Sequence, residues 1–90
     1  MVESRVKIVN QLGLHARAAA QLVRLAGNYR SKIKIRRPDN GIVADAKSIL
    51  SVLTLAAAKG AELEIEVEGE DEQDAVEAVE RLFVNGFGEI

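Results

Sequence analysis

Cysteine is absent from the ninety residues. That removes disulfides, thiolate nucleophiles and Cys-based zinc sites together, and it fits a reducing compartment. One histidine and no cysteine leave carboxylates as the remaining metal-binding side chains, and these show no ligand spacing, so no metal is expected. Aromatics are only 3% of the chain and the net charge is −2. A nucleic-acid binder is expected to carry a basic surplus and usually stacking aromatics, so no nucleic-acid partner is expected. Nowhere do eighteen apolar residues follow one another, and the opening MVESRVKIVN has no apolar run of signal-peptide length. The expectation is a soluble, cytoplasmic chain with no membrane insertion.

What is present suits a globular fold: 48% apolar and 29% charged residues. The length makes one domain, 1–90, with a single modest core. In SRVKIVN, Val6 and Ile8 alternate with Arg5 and Lys7, the period of a half-buried strand. After Gly13 the spacing turns helical in HARAAAQLVRLAGNY. There Ala19, Leu22, Val23 and Ala26 form a stripe, and Gly27-Asn28 makes a stop. SKIKIRR alternates again, and PDNG is a turn by residue type, leading into a short strand in IVADA. Ser48 to Lys59 reads as a second helix ending at Gly60. AELEIEVEG is the clearest strand, and EDEQDAVEAVERLFVNG is a third helix with apolar Val76, Val79, Leu82 and Phe83.

The order β-α-β-β-α-β-α predicts an α+β fold, an open-faced β-sandwich with three helices on one face of a four-stranded antiparallel sheet. The other face is solvated, as the charged halves of the strands require. The last strand presents Glu62, Glu64, Glu66 and Glu68 on one side. Like charges directly opposite across a strand pair cost up to roughly 1 kcal/mol. Its best neighbours are the cationic strands carrying Arg5/Lys7 and Lys32/Lys34/Arg36. The last strand is therefore expected between the first and second, giving the order 1-4-2-3.

The single histidine stands in NQLGLHARAAA, at the start of the first helix. The first amides of a helix have no intrahelical partner, and that end carries about half a positive charge. Such a place suits an anion, phosphate above all. Here the candidate donors are the backbone N–H groups of Ala16, Arg17 and Ala18. Arg17 adds a fixed cation with donors that match phosphate oxygens. An imidazole is a nucleophile available at neutral pH. From position alone, a histidine at a helix start, here His15, is more often a cap or surface residue than a catalytic group.

GLHARAAA resembles the active-site motif of the HPr family, the histidine-containing phosphocarriers of the phosphoenolpyruvate-dependent phosphotransferase system. KSILSVLTLAAAKGAELEIEVEGEDEQDAVEAV resembles the second signature and the C-terminal half of that family, so the likeness covers essentially the whole chain. The resemblance implies that His15 is phosphorylated on Nδ1 and that Arg17 stabilises the phosphoryl group. It implies phosphorylated enzyme I as donor, IIA-type proteins as acceptors, no cofactor and no independent turnover. A monomer is expected. Where the family usually has proline this chain has Ala18, which loosens the first turn by about 0.4–1 kcal/mol through the unfolded state and adds an N–H donor.

AKSILSVLTLAAAKG is apolar almost all round, so some of Ile49, Leu50 and Leu53 are expected to stay exposed as a partner surface. Arg17, Arg24, Lys47 and Lys59 would form a cationic rim around it, favouring association with acidic partners. Ser48 fits an N-cap. It also matches the serine that a dedicated HPr kinase/phosphorylase modifies in part of the family, a step that would add about two negative charges to the patch. Ser51 reads as a polar position only. Two pathways stay open: sugar uptake, and a nitrogen-related regulatory branch whose carriers (often written NPr) also end in a segment similar to LFVNGFGE. From a different class, the chain could be a non-carrier interaction module working through Ile49, Leu50 and Leu53.

Overall fold

Alternating polarity produces the strands expected of it. The computed structural model describes residues 1–89. Strands β1 (Val2–Lys7), β2 (Lys32–Arg36), β3 (Val43–Asp45) and β4 (Glu62–Glu68) form one antiparallel sheet in the order β1-β4-β2-β3. Helices α1 (Ala16–Ala26), α2 (Ile49–Leu53) and α3 (Glu72–Val84) leave the sheet's other face open, and a short 3₁₀ turn, Gly86–Gly88, follows α3.

The glutamate strand is central. Arg5 of β1 and Arg36 of β2 both lie opposite Glu64, at 2.9 Å and 2.5 Å from its two carboxylate oxygens. The Arg36 guanidinium, with that of Arg5, holds the Glu64 carboxyl below the usual carboxylate range. Lys7 faces Glu62, Lys32 faces Glu68 and Lys34 faces Glu66; only Glu3 meets a like charge, at Glu66. Inward, Ile8, Ile33, Ile35, Leu63, Ile65 and Val67 are almost fully buried against Leu22, Val79 and Phe83. Each such side chain contributes about 1.5–3 kcal/mol by leaving water.

The structure corrects three expectations. The second helix does not run to Lys59: α2 ends at Leu53, with Thr54 as its C-cap. The Thr54 hydroxyl donates to the Ser51 carbonyl at 2.5 Å, and Ala56 turns to a φ of +47°. The carbonyl of Ala57 is thereby freed to accept the amide of Leu14 at 2.9 Å. A tertiary bond thus replaces the helical ones that an alanine-rich run would otherwise make. Val23 and Leu82, expected among the core positions, are only half-buried. The first strand starts earlier than its alternation suggested, because Val2 pairs with Val67.

Candidate functional site

The loop before α1 is held from three sides. Gly13 has a φ of +66°, and a Cβ there would stand 2.5 Å from the Ala57 carbonyl oxygen. Asn10, almost fully buried, donates from Nδ2 to the Gly13 carbonyl at 2.8 Å. With the Leu14–Ala57 bond, these contacts fix where the helix begins.

His15 is the N-cap of α1, in extended conformation at φ −76°, ψ 179°. The Arg17 amide donates to its Nδ1 at 3.2 Å. A backbone N–H can only donate, so Nδ1 presents its lone pair toward the helix start, and the neutral ring carries its proton on Nε2. Nε2 meets the carboxylate of Glu89. The ring stays 27% exposed, enough for a second protein to reach it.

Around this ring the expected residues fall into distinct places. Ala16 and Arg17 are exposed; Ala18 is fully buried, its methyl in the core. The amides of Ala16 and Ala18 make no hydrogen bond among the described residues, while that of Arg17 is engaged by the imidazole. The Arg17 guanidinium forms no ion pair among the described residues. The depression beside the ring is lined by Gln11, Leu12, Arg17, Gly88 and Glu89.

Glu89 is the residue that sequence reasoning missed. It lies 74 positions from His15 and belongs to no periodic segment. The turn that delivers it is anchored by Phe87, which packs edge-on against Phe83 at 5.0 Å and whose carbonyl accepts from Gln21 Nε2 at 3.2 Å. Phe87 takes a φ of +55°, an unusual conformation for a bulky residue, held by that packing. Asn10 Nδ2 also donates to Glu89 Oε1 at 3.1 Å. The hydrogen bonds from His15 and Asn10 hold the Glu89 carboxyl below its ordinary range.

On α2, which packs against α1, Leu50 is 75% and Ile49 39% exposed, whereas Leu53 is half-buried. Ser48 caps the helix, accepting the Ser51 amide at 3.3 Å. Ser51 does more than occupy a polar position: its hydroxyl accepts the Asp45 amide at 2.8 Å, tying α2 to β3. Arg24, Lys47 and Lys59 are exposed, with Lys47 Nζ donating to the Tyr29 carbonyl at 2.8 Å and Lys59 Nζ to Gln11 at 3.3 Å.

Fold and site together define a small open-faced α+β protein with a solvent-reachable imidazole at a helix start. The model of the PTS HPr component phosphorylation site matches residues 2–85, and the chain belongs to the HPr phosphocarrier family of the phosphotransferase system. It is 48% identical to the phosphocarrier protein HPr of Cupriavidus necator, covering 99% of this chain and 98% of that protein. To the phosphocarrier protein NPr of Klebsiella oxytoca it is 44% identical, covering 98% and 97%. Among solved structures, HPr from Thermoanaerobacter tengcongensis is similar with a TM-score of 0.92 and 34% identity, covering 100% of this chain and 99% of that one. An HPr dimer from the same organism is also similar, with a TM-score of 0.77 and 35% identity, covering 99% and 100%.

Proposed function

We propose that this chain carries phosphoryl groups on His15 Nδ1, accepting them from phosphorylated enzyme I and passing them to IIA-type acceptors in the cytoplasm. The observation that carries this reading is the Nδ1 lone pair of a solvent-reachable ring, facing the first amides of α1. A phosphoryl group arriving at Nδ1 would meet the amide of Arg17 together with those of Ala16 and Ala18. The Arg17 guanidinium would match its oxygens bidentately. The exposed Ile49 and Leu50, with Arg24 and Lys47, form the docking face in this reading. Ser48 is its regulatory position: a phosphate on the cap oxygen would sit favourably on the helix start while setting two charges among the apolar contacts. The carrier acts as a monomer, which light scattering tests directly, since dimers exist among similar proteins.

Incubation with phosphoenolpyruvate and enzyme I, followed by intact mass measurement, tests the proposal. One acid-labile phosphate is expected, abolished by His15→Ala and transferred more slowly in both directions by Arg17→Ala. No gain of mass with the cognate enzyme I would leave the interaction module as the better account.

A further inference from the structure

Nothing in the carrier reading requires a carboxylate on the far side of the ring, yet the fold delivers one with several constraints. The Gly86–Gly88 turn is pinned by the Phe83–Phe87 contact and by the Gln21 bond to the Phe87 carbonyl. Asn10, itself almost fully buried, spends one amide group on both the Gly13 carbonyl and Glu89. The helix-start loop and the C-terminal turn are thus joined through one side chain, and Glu89 is aimed at Nε2.

We propose that Glu89 is a positioning residue for phosphoryl transfer: it orients the His15 ring and compensates the charge that the ring gains when Nδ1 is phosphorylated. This rests on the carrier reading. In the forward step the Nδ1 lone pair forms the new bond to phosphorus. The bond from phosphorus to the donor's leaving atom breaks, and its electron pair departs with that atom. Nε2 keeps its proton throughout, so the ring becomes cationic. In onward transfer the P–N pair returns to Nδ1 and the ring is neutral again. A carboxylate hydrogen-bonded to Nε2–H stabilises the cationic ring as it forms, much as a buried aspartate serves the histidine of a hydrolase triad. Arg17 acts on the phosphoryl oxygens at one ring nitrogen and Glu89 on the proton at the other.

Glu89→Ala and Glu89→Gln separate the two parts. Glutamine can still accept the Nε2 proton through its amide oxygen but carries no charge. Hydrogen bonds to charged groups imply a fall of about ten- to a hundredfold in transfer rate for alanine, and a substantial part of it for glutamine. Proton NMR with nitrogen-labelled histidine supplies a readout that a merely structural role would not move. In the unmodified chain the Nε2 proton is expected to be deshielded and protected from exchange, and in Glu89→Ala that signal is lost. Transfer within twofold of the unmodified chain in both variants, or an unprotected Nε2 proton before mutation, overturns the assignment. Failure of the unmodified chain to accept phosphate would instead sink the carrier reading, and the Nε2 proton would still report whether Glu89 holds the ring.

Discussion

Replacing Gly13 by alanine tests how the fold sets the start of α1. At a φ of +66° any other residue meets the left-handed penalty, roughly 1–2 kcal/mol. The added Cβ would also stand 2.5 Å from the Ala57 carbonyl oxygen and 3.0 Å from the Ala58 Cα, both backbone atoms that cannot step aside alone. That carbonyl accepts the Leu14 amide at 2.9 Å, so relieving the clash weakens a bond whose net contribution is about 0.5–1.5 kcal/mol. The expected loss is ~2–3 kcal/mol, a fall in Tm on the order of 10–20 °C for a domain this size. Urea and thermal unfolding by circular dichroism read it directly. Gly41→Ala is the internal control: its φ is +76° but nothing lies within 4 Å of the new Cβ, so only the backbone penalty applies. Equal losses in the two variants would refute the argument that contact with Ala57 fixes the loop. Because the His15 cap follows two residues later, Gly13→Ala should also slow transfer where Gly41→Ala does not.

Asp71 accepts the Ser31 hydroxyl at 2.5 Å and the amides of Arg30 and Ser31 at 2.8 and 2.9 Å, which bring its carboxyl down to about 2 from 3.8. Its stabilising effect is therefore complete above pH ~4 and lost as pH falls through ~2. Asp71→Asn should lower the urea midpoint at pH 6, with the gap to the unmodified chain closing near pH 2; a gap that ignores pH would show that ionisation of Asp71 is irrelevant. Ile65→Ala, at a fully buried position at the middle of β4, should cost about 2–5 kcal/mol by chemical denaturation, and a loss below 1 kcal/mol would mean that the core closes over the void.

The sheet was legible because its order is written in charge: a strand of glutamates flanked by two strands of lysine and arginine leaves β4 one good place. The start of α1 and the Ser48 cap were legible for a similar local reason, since Gly13, His15 and Ser48 act within a few residues of themselves. The end of α2 was not. SVLTLAAAKG is helical by propensity, and what stops it is a carbonyl claimed by Leu14, more than forty residues earlier in the chain. Glu89 was hidden for the same physical reason, because its partners His15 and Asn10 are near only after α3 has packed. Local signals found the histidine at the helix start; its long-range contact with Glu89 required the fold.

The central place of β4 also bears on how the chain is made. Val2 must wait for Val67, and Lys7 for Glu62, before either end of β1 has a hydrogen-bonded neighbour. The two basic strands repel, so during synthesis they have no stable way to pair with each other. A nascent chain ending before the glutamate strand can pair β2 with β3 but leaves β1 without a neighbour, so the sheet is completed only once β4 has been made.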